Sequence, residues 1–222
     1  MPPFDAAIFD MDGVLVDSEP IWWQIEIELF GELGIPLTIE DTKKTMGMRL
    51  DRVVRLYYDR KPWPGPSVDE VGETLTRRVA ERVRREAAEI PGAAAAVRLA
   101  KARGMKVALA TSSPHLLIEA VLDRLDLRGA FDVVASGMDE RYGKPHPAVF
   151  LTAAERMGVQ PERCVVFEDS LTGAIAAKAA SMTCVAIPHG YPDFSPKFAL
   201  ADAVWPSLEP FSGGLGALRQ AG

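Results

Sequence analysis

From residue 93 onward, the chain alternates between short apolar runs and segments with helical periodicity. The apolar runs predict strands, and glycines such as Gly104 and Gly158 mark helix ends. Strands separated by helices favour a parallel sheet, because parallel neighbours need a crossover and are buried on both faces. We therefore predict an α/β fold, a Rossmann-like parallel sheet core with helices on both faces. The predicted strands are residues 106–111, 132–136, 164–168, 183–187 and a short one near 203–205, and the predicted helices are residues 93–103, 116–125, 148–157, 172–180 and one at the end of the chain.

An earlier apolar run, Ala6 to Phe9, also predicts a buried strand, but the residues after it offer that strand no partner. Apolar residues recur every four positions from Ile21 to Leu33, and Ser67 with Glu70 forms a capping-box pattern before a second helical repeat. We expect the first strand to join the later sheet, which makes the helical section an insertion. The predicted organisation is a core at residues 1–18 and 89–222 and an all-helical cap at residues 19–88.

The charge balance limits the partners of the chain. Its 222 residues carry 25 basic and 31 acidic side chains, a net charge of −6, whereas nucleic acids and anionic membranes attract clustered positive charge. Arginines between residues 77 and 85 alternate with glutamates, which favours a solvated helix face.

Two cysteines make no disulfide framework, and no apolar run reaches the roughly 18 residues of a membrane span. The first residues lack a basic signal region. We expect a cytoplasmic monomer with a small-molecule partner, no nucleic acid and no membrane.

Acidic residues gather where two predicted strands end. Asp10 and Asp12 follow the first strand, and Glu168 and Asp169 end the strand at residues 164–168. The carboxyl ends of parallel strands share one edge, where ligands of α/β proteins bind. Carboxylates gathered there repel one another unless a cation lies among them, and their hard oxygen atoms suit Mg²⁺. The alternative is that single acids, Asp169 among them, cap the helices that follow.

Two further groups belong to the same edge by their position. Lys144 lies in a loop flanked by glycine and proline, where it either offsets the acids or is a solvated surface lysine. Thr111 and Ser112 end the strand at residues 106–111. They either cap the helix after Pro114 or bind phosphate at its N-terminus, and the two roles are compatible.

Four segments, in order and spacing, resemble the motifs of the haloacid dehalogenase superfamily in its phosphatase branch. They are FDMDGVLVDS, ATSS, GKPHP and VFEDS, and the resemblance covers essentially the whole chain. The helical insertion is similar to the cap of the β-phosphoglucomutase-like subgroup. More narrowly, RKPWPGPS, GKPHPAVF and EDSLTGAIAAKAA resemble bacterial 2-deoxyglucose-6-phosphate and hexitol phosphatases.

The resemblance implies Mg²⁺-dependent hydrolysis of small sugar phosphates, of the hexose or hexitol 6-phosphate type, through an aspartyl-phosphate intermediate. Asp10 matches the nucleophile of the family, and Asp12 matches its general acid/base. Thr111, Ser112 and Lys144 match the residues that bind phosphate. Asp10, Glu168, Asp169 and the backbone carbonyl of Asp12 match the metal ligands. Gly47 and Arg49 match the residues of the cap that bind the substrate.

Other functions stay open at this stage. Mutases of the subgroup carry a histidine in the helix after the first motif, and residues 20–23 contain none, which favours hydrolysis without excluding transfer between sugars. A dehalogenase needs neither Asp12 nor the pair Glu168 and Asp169. A phosphoacceptor signalling module would keep the acids and Lys144 but needs neither Asp12 as an acid nor a cap. A phosphometabolite-binding protein is a third possibility.

Three tryptophans of the predicted cap have two possible roles. Trp22, Trp23 and Trp63 either form an apolar wall against a sugar face or pack the interior of the cap.

Overall fold

The computed structural model describes residues 4–45, 48–188 and 196–213. Within them the chain forms β1 (Ala6–Phe9), β2 (Val16–Asp17), α1 (Glu19–Glu32), α2 (Ile39–Lys43), α3 (Leu50–Arg60), α4 (Val68–Glu86), β3 (Ala88–Glu89), α5 (Ala93–Ala102), β4 (Lys106–Thr111), α6 (His115–Arg124), β5 (Val133–Ser136), α7 (Ala148–Met157), β6 (Cys164–Glu168), α8 (Leu171–Ala179), β7 (Thr183–Ala186) and β8 (Ala203–Val204). Short 3₁₀ helices lie at Gly137–Asp139, Pro161–Arg163, Pro196–Phe198 and Glu209–Gly213.

The main sheet has the strand order β5-β4-β1-β6-β7-β8, and all its pairs are parallel. The first strand occupies a central position: Ala6 pairs with Lys106 of β4 on one side and with Cys164 of β6 on the other. The prediction that β1 joins the later sheet is therefore confirmed, as is the α/β fold class. Ala6 and Ile8 pack into one hydrophobic cluster, whereas Ala7 and Phe9 pack into another, so both faces of the sheet are covered.

Helices α1 to α4 pack together in the predicted cap region. The aromatic side chains of Phe30, Tyr57 and Trp63 meet in its interior, with ring centroids 4.7 Å apart for Phe30 and Tyr57 and 5.9 Å apart for Phe30 and Trp63. The capping box of Ser67 and Glu70 starts α4 as predicted. Helix α2 was not identified from the sequence, since its five residues show too little periodicity to be recognised. Helix α3 was not identified either, although its buried residues Leu50, Val53, Val54 and Tyr57 recur at helical spacing.

The helical section is joined to the sheet by a two-stranded antiparallel ribbon that the sequence did not predict. Val16 of β2 pairs with Glu89 of β3, where the chain leaves the core and returns to it. Helix α4 also packs against α6, and the guanidinium of Arg124 donates to the carbonyl of Ala87 at 2.9 Å. The domain division predicted between residues 18 and 19 and between 88 and 89 lies at this ribbon and stays a prediction.

The end of the chain is described only as far as Gly213, in the 3₁₀ helix Glu209–Gly213. The remainder of the predicted terminal helix lies outside the described residues. Among the helices described, none combines the length and apolar character needed to cross a membrane.

Candidate active site

The loop that leaves β1 lies at the carboxyl edge of the sheet. Its first residue, Asp10, donates its backbone N–H to the carbonyl of Phe167 in β6 at 3.0 Å, and the chain then turns tightly from Met11 to Val16. Gly13 has φ +74° in this turn, and a Cβ there would overlap the carboxylate of Asp169. Glycine is thus required both for the turn and for the approach to Asp169.

Lys144 enters the site from the loop before α7 and is almost completely buried. Its Nζ lies 2.9 Å from Oδ1 of Asp10 and 3.5 Å from Oε1 of Glu168, above the ring of Phe150. Burial alone would lower the pKa of Lys144, but the charges of Asp10 and Glu168 outweigh it and raise that pKa above its usual value. The ammonium therefore stays charged, and the alternative of a solvated lysine is wrong.

Asp10, Glu168 and Asp169 form a buried acidic cluster. Each offers one carboxylate oxygen, and these oxygens lie within 4.8 Å of one another. Burial and the charge of Asp10 raise the pKa of Glu168 to about 8, and burial with the charge of Glu168 raises the pKa of Asp169 well above its usual value. Among the described residues that line the site, a single ammonium, that of Lys144, faces these three acids.

Glu168 carries the observation that bears most directly on a metal. Its Oε1 accepts a hydrogen bond from Ser170 at 2.6 Å, but its Oε2 is buried with no hydrogen-bond partner among the described residues. An unpaired buried carboxylate oxygen is costly unless a cation or donor meets it. Hard oxygens in this geometry fit a divalent cation such as Mg²⁺.

Asp12 lies in the same pocket but its carboxylate is not part of that cluster. Both of its oxygens accept hydrogen bonds, Oδ2 from Ser113 at 2.6 Å and Oδ1 from Ser18. Burial raises the pKa of Asp12, while the bonds from Ser113 and Ser18 oppose that rise. A carboxyl group with a raised pKa holds its proton to a higher pH than an ordinary aspartate does, as a general acid must. Ser18 was not predicted as a site residue, although it ends the FDMDGVLVDS segment six positions after Asp12.

The hydroxyl group of Thr111 orders the end of β4. Thr111 is buried and its Oγ1 accepts the backbone N–H of Ser113 at 3.1 Å, while Ser112 lines the pocket. The following helix, α6, has Pro114 at its N-cap and no side-chain cap. The alternative that these hydroxyl groups cap α6 is therefore wrong.

A pocket lies between the acid-lined edge of the sheet and the helical section. The residues that line it from the helical section are Glu19, Trp22, Trp23, Glu26, Thr42, Thr45, Met48, Leu50 and Val53. Trp22 and Trp23 thus line the pocket, whereas Trp63 packs against Phe30 and Tyr58 in the interior of the helical section. Trp22 and Trp23 therefore have the position expected of a pocket wall, and Trp63 has the position expected of interior packing.

Arg49 is not among the residues that line the pocket. Its guanidinium pairs with Asp51 at 2.7 Å and donates to the carbonyl oxygens of Glu140 at 2.7 Å and Gly137 at 3.3 Å. Arg49 thus links the helical section to the core. The predicted contact of Arg49 with substrate stays a prediction, and Gly47 lies outside the described residues.

Two acids of α1 were not predicted as site residues from the sequence. Burial and the charges of Asp12 and Asp17 raise the pKa of Glu19 to about 7, and burial raises the pKa of Glu26 to about 8. The signal was present, since positions 19 and 26 are two helical turns apart and lie on the face that carries Trp22. An acid on the apolar face of a predicted helix can thus indicate a site residue, as an acid at the end of a predicted strand does.

The sheet, the helical section and the acid-lined pocket between them are the architecture of a capped α/β enzyme. Residues 4–181 match the haloacid dehalogenase-like hydrolase family. The chain belongs to this family, as its four motifs indicated.

Comparison with individual proteins agrees with this assignment. The chain is 44% identical over 204 residues to hexitol phosphatase B of Escherichia coli (strain K12), covering 91% of this chain and 92% of that protein. The crystal structure of CbbY from Rhodobacter sphaeroides in complex with phosphate matches with a TM-score of 0.86 at 31% identity, over 97% of this chain and 99% of that chain. The β-phosphoglucomutase of Clostridium difficile shares the fold, with a TM-score of 0.82 at 22% identity over 98% and 96% of the two chains.

Proposed function

We propose that this protein is a Mg²⁺-dependent phosphatase that hydrolyses small sugar phosphates, of the hexose or hexitol 6-phosphate type, through an aspartyl-phosphate intermediate. The observation that carries the proposal is the buried Asp10 carboxylate, held 2.9 Å from Lys144 in a pocket that also contains Asp12. The similarity to hexitol phosphatase B supports the substrate class.

Asp10 and Asp12 divide the reaction between them. An oxygen of Asp10 attacks phosphorus as the bond from phosphorus to the ester oxygen breaks, and Asp12 gives its proton to the departing oxygen, which leaves as an alcohol. In the second step a water molecule attacks phosphorus and its proton passes to Asp12. The bond from Asp10 to phosphorus then breaks and inorganic phosphate is released.

Positive charge is necessary for the first step. A carboxylate about 4 Å from one phosphate charge is repelled by about 4 kcal/mol at an effective dielectric constant near 20. The ammonium of Lys144 reduces this repulsion, and Thr111 and Ser112 complete the clamp on the phosphate oxygens. Asp10, Glu168, Asp169 and the carbonyl of Asp12 would hold Mg²⁺, which when bound draws negative charge from the phosphoryl oxygens.

The pocket between the helical section and the sheet supports the proposal of a small substrate. A cap over the reacting groups limits access by bulky phosphoesters and brings its own side chains to the leaving alcohol. The cap and Asp12 also weigh against a phosphoacceptor signalling module, which needs neither a lid nor an acid for a leaving group. A cytoplasmic location and a monomeric state complete the proposal.

The proposal is tested by hydrolysis of p-nitrophenyl phosphate, sorbitol 6-phosphate and 2-deoxyglucose 6-phosphate, each with Mg²⁺ and with EDTA. We expect turnover that requires the metal and is abolished in Asp10→Asn, while Asp59→Asn, an exposed acid of α3, keeps wild-type activity. Conversion of a sugar phosphate into its isomer without phosphate release would identify a mutase instead. A stable phosphoprotein with no turnover would identify the signalling module.

A further inference from the structure

Glu26 is a buried acid of the pocket that the proposed reaction does not use. It lies on α1 with 7% of its surface exposed and lines the pocket from the cap side. Its Oε2 is buried with no hydrogen-bond partner among the described residues. The carboxyl group of Glu26 therefore belongs to the wall of the pocket and has no protein partner for one of its oxygens among the described residues.

The other polar side chains on this side of the pocket also present acceptors. The hydroxyl group of Thr42 donates its proton to the carbonyl of Ile39, and that of Thr45 donates to the carbonyl of Thr42, each at 2.8 Å. Each hydroxyl oxygen keeps lone pairs but has no proton left to give. A ligand with hydroxyl groups can donate to these oxygens.

The described lining at this end offers no positive charge to a second anionic group. Among the described residues that line the pocket, the one cation is Lys144, which pairs with Asp10 and Glu168 on the core side. Lys43 lies above the ring of Trp23 outside this lining and pairs with Glu40 at 2.9 Å. A second phosphate placed against Glu26 would meet a carboxyl group and no positive charge from the described lining.

Apart from Glu19, the remaining lining on the cap side is apolar. Trp22, Trp23, Met48, Leu50 and Val53 suit the C–H face of a carbon chain. A hydroxylated carbon chain presents such a face on one side and hydroxyl groups on the other.

We propose, on the basis of the function proposed above, that Glu26 accepts a hydrogen bond from a hydroxyl group of the substrate and thereby selects monophosphates with a neutral polyol chain over bisphosphates and non-hydroxylated esters. Glu26 is thus a specificity residue that acts on the leaving alcohol. It takes no part in the transfer of the phosphoryl group.

The test compares kcat/KM for sorbitol 6-phosphate with kcat/KM for p-nitrophenyl phosphate in the wild type, Glu26→Met and Glu26→Gln. We expect the ratio to fall about 10- to 100-fold in Glu26→Met, the range for loss of a hydrogen bond to a carboxyl group. Glu26→Gln keeps an acceptor oxygen and restores most of the ratio. Glu28→Gln, an exposed acid of the same helix, leaves the ratio unchanged.

Monodeoxy hexitol 6-phosphates locate the hydroxyl group that Glu26 binds. One of them should lose activity with the wild type but not lose more with Glu26→Met, since both changes remove the same hydrogen bond. The proposal is overturned by an unchanged ratio in Glu26→Met, or by a wild type that hydrolyses sorbitol 1,6-bisphosphate as efficiently as the monophosphate. A wild type without metal-dependent hydrolysis of any monoester overturns the proposed function itself, and the role of Glu26 with it.

Discussion

At the scale of single residues, the groups around a side chain, rather than its residue type, set the chemistry of the site. Asp12 and Asp10 are both aspartates two positions apart, yet Asp10 pairs with the ammonium of Lys144 and Asp12 accepts hydrogen bonds from two serines. Asp10 thus faces a positive charge, whereas burial raises the pKa of Asp12. The two environments thus suit the two different roles that the proposed mechanism requires.

Asp12→Asn tests the assignment of the general acid. We expect kcat/KM for sorbitol 6-phosphate to fall roughly 100- to 10,000-fold, the usual contribution of a positioned acid or base. The loss should be clearly smaller for p-nitrophenyl phosphate, because p-nitrophenolate leaves without a proton. Steady-state kinetics on both esters measures this difference, with Asp126→Asn as an exposed control. Equal losses on the two substrates would show that Asp12 is not the acid.

The raised pKa of Glu26 predicts how stability depends on pH. The folded state holds the proton of Glu26 up to about pH 8, whereas an unfolded chain releases it near the ordinary glutamate pKa of 4.5. The stabilisation from this proton is complete below that lower pKa and is lost as the pH rises through the folded value. We expect the metal-free protein to lose roughly a few kcal/mol of unfolding free energy between pH 5 and pH 9 from such acids.

Urea unfolding of the wild type and Glu26→Gln across this pH range isolates the contribution of Glu26. The variant should show a shallower decline, since glutamine does not ionise, while Glu168 and Asp169 contribute equally to both proteins. Parallel curves would show that Glu26 does not titrate in this range.

At the scale of secondary-structure elements, the site depends on how closely helix α8 and the β1 loop approach the acids. Ser170 caps α8 by accepting the N–H of Gly173 at 3.0 Å, and it also donates to Glu168. A Cβ on Gly173 would overlap the carboxylate of Glu168, so the first turn of α8 fits against the acid only as glycine. The packing of α8 and the position of the Glu168 carboxylate therefore depend on the same residue, Gly173.

Gly173→Ala is expected to displace Glu168. The overlap should cost about 1–3 kcal/mol of stability, as overpacking does, and weaken binding of Mg²⁺ measured by calorimetry. Gly31→Ala in α1 is the control, because a Cβ there meets nothing within 4 Å. That change should stabilise the protein by about 0.5–1 kcal/mol through helix propensity. Unchanged metal affinity in Gly173→Ala would contradict the placement of Glu168 in the metal site.

At the scale of the whole molecule, the pocket exists because the helical section is held against the core at several points. Helix α4 packs on α6, and the β2–β3 ribbon pairs the two segments by which the chain leaves and re-enters the core. Arg49 donates hydrogen bonds to the carbonyls of Gly137 and Glu140. In the proposed reaction, the reacting groups belong to the core and the groups that meet the leaving alcohol belong to the cap. The proposal thereby assigns catalysis and specificity to different parts of the chain.

Arg49→Met tests whether this arginine holds the cap or binds substrate. If it holds the cap, KM should rise by a similar factor of roughly 10 for p-nitrophenyl phosphate and sorbitol 6-phosphate, since both need a closed pocket. Arg52→Met, an exposed arginine of α3, should leave both values unchanged. A rise confined to the sugar phosphate would instead support the direct contact predicted from the sequence.

The regular pattern of the chain was enough to predict the sheet and most of the candidate site. Strand positions such as Lys106–Thr111 and Cys164–Glu168 followed from local apolar runs, and parallel topology places the ends of such strands at one edge. Acids and a lysine at those ends could therefore be grouped from their positions along the chain. The roles of these residues in catalysis stay predictions.

Contacts between distant segments were decided by tertiary structure alone. The bonds from Ser18 and Ser113 to Asp12 depend on how neighbouring loops meet at the edge of the sheet. The anchoring of Arg49 on the core and the unpaired oxygen of Glu26 depend on how the helical section lies over the sheet. Periodicity reports which face of an element is buried, but it carries no information on which partner covers that face. The sheet and the helical section must therefore pack together before burial raises the pKa of Asp12. The same packing leaves Glu26 without a partner for one oxygen among the described residues.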